Sequence, residues 1–169
     1  MTVFHLRRLV PVAAAVGLLV FSGCASFERD WKKAERRPEL RSFAQTDAFT
    51  GRWDGRWTSA KHQTRHGPAG GRLRCLLTKL DERRYEARFK ANWMLFTSSY
   101  TTLFQVEPRR GELGLKGEHT MAVMFGGTYR YEGRVTPRLF SARYESSYDH
   151  GIFEMRRPGE NSRPPAGRR

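Results

Sequence analysis

Between residues 49 and 157 apolar and polar side chains alternate almost without interruption, and that single pattern restricts the fold more than any other feature. Trp53, Gly55 and Trp57 share one parity, opposite Arg52, Asp54 and Arg56. Leu73, Cys75 and Leu77 oppose Arg72 and Arg74. Tyr85, Ala87, Phe89, Ala91 and Trp93 oppose Arg84, Glu86, Arg88, Lys90 and Asn92. The period returns at Phe96, Tyr100, Phe104 and Val106, at Leu113 and Leu115, and at Tyr129 and Tyr131. It closes with Phe140, Ala142 and Tyr144, then Phe153 and Met155. An extended chain sends successive side chains to opposite faces, so every segment has one apolar and one polar face. That is the pattern of an antiparallel sheet wetted on one side.

Turn-forming residues separate the segments: Gly67 to Gly71, Asp81-Glu82, Pro108 to Gly111, Gly126-Gly127, Thr136-Pro137 and Asp149 to Gly151. The expectation is an all-β domain of about eight short antiparallel strands in an up-and-down meander. A single open sheet would leave its aromatic face bare, so closure into a barrel or strong curvature is expected. Arg-Tyr-Glu recurs at 84–86, 130–132 and 143–145, placing a tyrosine inward between charges able to pair outside. Gly-Arg-Trp recurs at 51–53 and 55–57; both echoes are of hairpin scale.

The amino end reads differently. Met1 to Arg8 is short and basic, Leu9 to Phe21 is an uncharged, mostly apolar run, and Phe21-Ser22-Gly23-Cys24 follows. A spanning helix needs roughly 20 apolar residues, so this run suits a signal peptide better. The tetrapeptide resembles the lipobox of bacterial lipoproteins, with Phe21 where that pattern usually has leucine. The resemblance implies a diacylglyceryl thioether on Cys24, cleavage before it, and acylation of the new amino terminus. It also implies a location in the cell envelope. Ala25 after Cys24, rather than aspartate, implies sorting to an outer membrane facing the periplasm, given a bacterium with two membranes.

Cleavage before Cys24 leaves 169 less 23 residues, or 146. Cys75 is then the remaining cysteine with no intramolecular mate, and it reads as a small buried hydrophobe. Removing Arg7 and Arg8 from 31 basic residues leaves 29 against 17 acids, a net of +12. Such an excess suggests polyanions. Export excludes nucleic acid as partner and leaves lipid headgroups, lipopolysaccharide or peptidoglycan, or else a merely solvated surface.

Four segments are expected: signal peptide 1–23, lipid-anchored tether 24–48, barrel domain 49–157 and disordered basic tail 158–169. In the tether, Ser26 is placed to cap a short helix from Phe27 to about Arg37, ended by Pro38. Phe27 with Trp31 and Glu28 with Lys32 are i, i+4 pairs. Such a helix either lies on the membrane or docks Trp31 against the domain. The tail holds three prolines and three arginines with no apolar period.

Gly51-Arg52-Trp53 resembles the Gly-x-Trp opening of lipocalin-like (calycin) small barrels. In that group an arginine from the last strand packs across the tryptophan and closes the barrel by a cation–π contact. Arg156 and Arg157 both stand where that arginine is needed, and the resemblance implies the role for Trp53 or Trp57 with Arg156, as structural residues. An eight-stranded barrel either fills with side chains or holds one small ligand, for which the small residues Gly55, Ala87, Ala91, Gly133 and Ala142 are expected to leave room. Interior ligand contacts, if a lipid or amphiphile binds, are expected at Tyr85, Phe89, Trp93, Tyr100, Phe104, Tyr129, Tyr131 and Tyr144.

Catalytic and metal chemistry find little support. His62 and His66 lie four apart in what reads as a glycine-rich loop, without a nearby carboxylate or thiolate. Asp149-His150 reads as a turn, and Asp54 and Glu86 fall on the arginine-rich face, where ion pairing accounts for them. No cofactor is expected. The sequence points to a non-enzymatic envelope lipoprotein that binds a small amphiphile or acts as a scaffold. The alternative is a basic protein that grips an anionic polymer or partner through its outer face.

Overall fold

A computed structural model describes residues 25–36, 47–93, 96–121 and 127–159. The lipobox with Cys24, part of the tether and most of the tail therefore lie outside the described residues. Eight strands follow one another: β1 (Gly51–Thr64), β2 (Gly67–Lys79), β3 (Arg84–Trp93), β4 (Phe96–Arg109), β5 (Glu112–Thr120), β6 (Thr128–Val135), β7 (Leu139–Glu145) and β8 (His150–Arg156). Each pairs antiparallel with its neighbour in sequence, and β1 pairs with β8, from Asp54 opposite Arg156 to Ser59 opposite Gly151. The sheet is a closed meander barrel with no free edge, as the alternation demanded.

Inward parity is the apolar one. Trp53, Leu73, Cys75, Ala87, Phe89, Phe104, Phe140 and Met155 are wholly buried. Phe89 sits at the centre, with ring centroids 5.1 Å from Tyr100, 6.2 Å from Phe104, 6.2 Å from Phe140 and 5.7 Å from Phe153. Burial of each such ring stabilises by about 1.5–3 kcal/mol, and each well-oriented aromatic pair adds about 1 kcal/mol. Buried Cys75 has its thiol pushed well up by loss of water, which suits the inert, packed role expected of it.

The Arg-Tyr-Glu echo has a structural meaning. On the β6–β7 hairpin two copies run antiparallel in register: Arg130 faces Glu145, Tyr131 faces Tyr144 and Glu132 faces Arg143. The triplet is self-complementary, with tyrosines meeting inside and opposite charges meeting outside.

Three local expectations are corrected. Gly67–Gly71 is the first part of β2, and the hairpin tip is Arg65-His66. The glycines serve close strand approach: a Cβ at Gly71 would lie 1.9 Å from the Asn92 carbonyl oxygen. Accordingly His62 is a strand residue rather than a loop residue. Gly55 and Gly133 do not leave interior room either, since a Cβ there would meet Glu154 O at 2.0 Å and Ser141 O at 2.2 Å. Neighbouring backbone has taken that space.

Helix α1 spans residues 25–36 and lies against the outer wall. Ser26, expected as the cap, is itself helical, and its hydroxyl accepts a bond from Arg88 at 3.3 Å. Phe27 and Trp31 stack at 5.7 Å and bury themselves with Leu76 of β2, flanked by Ala34. The helix docks Trp31 on the domain. Glu28 turns to the wall rather than to Lys32, receiving bonds from Arg74 and from Lys90 (2.7 Å).

Candidate functional site

The two ends of the barrel are built differently. At the end where β1 starts and β8 finishes, Trp53 is fully buried and donates its indole N–H to Phe49 O at 3.0 Å. The guanidinium over its ring, 3.9 Å from the centroid, belongs to Arg157. Arg157 also donates to the carbonyls of Thr50 (2.8 Å), Ala48, Arg52 and Pro137. The expectation at Arg156 is therefore corrected by one residue. Phe153 and Met155 point inward, so the same parity carries Arg157 to the interior and leaves Arg156 exposed beside Glu154 at 3.2 Å. Trp57 lies four residues further up β1 and donates to Asn92 O at 3.0 Å, away from this plug. Tyr85 belongs to this end too, where its hydroxyl donates to Asp47.

The opposite end is polar. Asp149, in the β7–β8 turn, is buried and accepts three bonds: from the Ser59 hydroxyl (2.6 Å), the Tyr144 hydroxyl (2.8 Å) and the His150 N–H (2.8 Å). His62 Nε2 is buried and stands 4.0 Å from the same carboxylate, while its ring meets that of Tyr148 at a tilt, 5.0 Å between centroids. Beside this cluster the Tyr100 ring is sandwiched between Phe89 and His119, the latter at 5.0 Å, and its hydroxyl shares a hydrogen bond with Tyr131. Tyr129 and Tyr144 rings approach at 6.1 Å. Burial pushes the Tyr100, Tyr131, Tyr144 and Tyr129 phenols up, and it pulls the His119 imidazole down. These groups are neutral donors and acceptors at physiological pH.

The expected interior contacts thus separate into three sets. Phe89 and Phe104 form the central plug, Tyr85 closes the lower end, and Tyr100, Tyr129, Tyr131 and Tyr144 gather at the polar end. The Trp93 side chain is outside those described. Ser59, Thr102 and His119 were missed, although each continues an inward parity: Ser59 that of Trp53 and Trp57, Thr102 that of Phe104, His119 that of Leu113 and Leu115; Asp149 was read only as part of a turn. Thr102 Oγ1 is buried with no hydrogen-bond partner.

Ser59, His62 and Asp149 do not form a nucleophilic relay. An activated serine gives its proton to an imidazole, whereas Ser59 donates to the carboxylate, accepts from the His62 backbone N–H at 2.8 Å, and is 1% exposed. The carboxylate is a structural hub that ties the β7–β8 turn to β1. Among the described residues there is no group of three or more His, Cys, Asp or Glu able to hold a metal ion.

Outside, the wall is a lattice of charge. Arg72 is bidentate on Asp54, and Arg56 stands between Arg72 and Glu154 on adjacent strands. A shallow groove of about 550 Å³ runs over these residues past Ile152. Large exposed hydrophobics are scattered singly at Leu80, Leu103, Tyr148 and Ile152. Apolar inside and charged outside is the reverse of a membrane-spanning barrel, which shows an apolar belt to lipid. No described helix is long and apolar enough to cross a membrane. No family model matches the chain, and neither a curated protein nor a solved structure matches it, so its assignment rests on its own geometry: a closed eight-stranded meander barrel with one docked helix.

Proposed function

We propose that this chain is a non-enzymatic lipoprotein of a bacterial envelope, held by a lipid on Cys24, whose barrel is a filled scaffold presenting a basic outer surface. The observation that carries the scaffold reading is the ring lattice around Phe89, which occupies the middle of the interior where a lipid chain would lie. The lipidation reading rests on Phe21-Ser22-Gly23-Cys24 and is supported by α1, which is described from residue 25, is docked on the wall, and would bring the barrel against the membrane. Metabolic labelling with a fatty acid tests it: the chain incorporates label, and Cys24→Ser does not. Label retained by Cys24→Ser overturns the reading.

A second reading, a small amphiphile held at the polar end, is favoured by one observation. Thr102 Oγ1 is buried without a partner near the Tyr100–Tyr131 pair, which is a demand for a hydrogen bond that a ligand or a water satisfies. Native mass spectrometry after gentle purification separates the two readings. The scaffold shows the bare polypeptide mass; a co-purifying amphiphile lost in Tyr100→Phe/Tyr131→Phe favours the second.

A further inference from the structure

The charges of α1 are sorted by face. At about 100° per residue, Arg29, Lys32, Lys33 and Arg36 fall within about 100° of arc, directly opposite Phe27, Trp31 and Ala34. All four are exposed, Arg29 with 77% of its side chain in solvent. The acids of the helix are on its flanks and are engaged with the wall. Glu28 holds Arg74 and Lys90, Asp30 holds Arg88 at 2.6 Å, and Glu35 holds Arg52 at 3.1 Å. Arg29 also approaches Asp30, at 3.9 Å, but Asp30 is bonded to Arg88. The apolar side that an interfacial helix would sink into lipid is already spent on Leu76, under the guanidinium groups of Arg52 and Arg74, each 5.1 Å from the Trp31 ring.

We propose that the outward stripe Arg29, Lys32, Lys33 and Arg36 is a docking face for anionic phospholipid headgroups, so that the barrel meets the membrane through a basic helix surface and not through an inserted apolar one. The chains implied on Cys24 would already anchor the protein, and a basic patch beside such an anchor adds attraction to anionic headgroups and fixes which side of the domain faces the bilayer. The stripe begins five residues after Cys24 and stands on a helix that the wall keeps rigid, so its four charges are presented together. Exposed cations act on an anionic surface over roughly one Debye length, about 10 Å at 0.1 M salt, so the contact is salt-sensitive and needs no pocket. The proposal deepens the envelope reading and rests on it for bringing a membrane to α1.

The test uses the full chain carrying Cys24→Ser, which removes any acyl group and so measures the stripe independently of lipidation. Partition is compared between phosphatidylcholine vesicles and vesicles with about one third phosphatidylglycerol, and anionic vesicles are expected to bind about tenfold more at low salt. The preference collapses as salt is raised to about 0.5 M. Arg29→Gln, Lys32→Gln, Lys33→Gln and Arg36→Gln together abolish the preference with an unchanged melting temperature. Arg29→Lys with Arg36→Lys keeps it, since the interaction is with charge and not with guanidinium geometry. The proposal is overturned by an equal partition into both vesicles, or by a preference that survives the four glutamines. It is overturned equally if glutamines at Lys116, Arg130, Arg134 and Arg143 on the β5–β7 wall remove as much. Stronger retention on purified peptidoglycan than on anionic vesicles, lost in the same quadruple variant, overturns it in favour of a wall polymer. Fatty-acid labelling of Cys24 is a separate readout, so failure of the stripe leaves the lipoprotein reading intact, and the reverse.

Discussion

Arginine packs on tryptophan at two sites in this molecule, one at the end of the barrel and one on its wall, and the arginines are held by different partners. Inside, Arg157 lies 3.9 Å over Trp53 and gives its remaining donors to four backbone carbonyls. Outside, Arg52 and Arg74 lie 5.1 Å from Trp31, and their donors go to the carboxylates Glu35 and Glu28. Carbonyls do not titrate; carboxylates do, and the two that hold the outer arginines are themselves half open to water. The same pair of residue types therefore makes a permanent plug in one place and a condition-dependent dock in the other.

The largest effect expected is at the plug. Arg157→Ala removes a close cation–π contact and charge-assisted bonds to four carbonyls, for a loss of roughly 2 kcal/mol in chemical denaturation. Arg157→Lys recovers little of it, because an ammonium does not span several carbonyls while lying flat on indole. Full stability in Arg157→Ala would collapse the contrast between the two sites.

Next is the dock. Trp31→Ala removes one of the two rings by which α1 packs on the wall, about 2 kcal/mol by area. Hydrogen exchange is expected to rise across residues 25–36 while the amides of β5–β7 keep their protection. Uniform loss of protection would mean that the helix and barrel unfold as one unit.

Acid separates the two sites without mutation. Hydrogen bonding from Arg88, ahead of the cost of burial, holds the Asp30 carboxyl below its ordinary 3.8. Burial pushes Glu28 up, but bonds and charge from Arg74 and Lys90 outweigh it and leave it below its ordinary 4.5. Groups with lowered folded values contribute stability that is fully present above their ordinary values and is lost as pH falls through the folded ones. Trp31 fluorescence is expected to report release of α1 below pH 4 or so, while Trp53 stays buried. A dock unchanged down to acid unfolding would refute the carboxylate account.

The smallest effect is the control: Arg156→Ala should shift stability by no more than about 0.5 kcal/mol, because its side chain is exposed and its Glu154 partner is a surface pair.

Much of the fold was legible because a strand has a strict period of two. Each inward residue implies the parity of the next, and closure follows from having an aromatic face with nothing else to cover it. The same rule would have carried the closing arginine to Arg157, since it continues Phe153 and Met155, and it would have brought Ser59, Thr102 and His119 inside. The polar end was less legible. Asp149 lies in a turn, and its three donors come from β1, β7 and the first residue of β8, a convergence that no local spacing announces. The glycines at 67–71 resembled a turn because glycine is common to tight turns and to strands that approach closely; which use applies depends on the neighbour across the sheet.

The sequence by itself determined the class of fold, the sidedness of every strand and the presence of an amphipathic helix near the amino end, all of which follow from the order of apolar and polar residues. Only the tertiary structure decided what each face meets. Glu28 is four residues from Lys32, yet Arg74 and Lys90 are nearer once the sheet has closed, because the wall buries the apolar side of α1 and brings those cations to its flanks. That docking turns Phe27 and Trp31 inward and leaves Arg29, Lys32, Lys33 and Arg36 as the surface the helix shows to the outside.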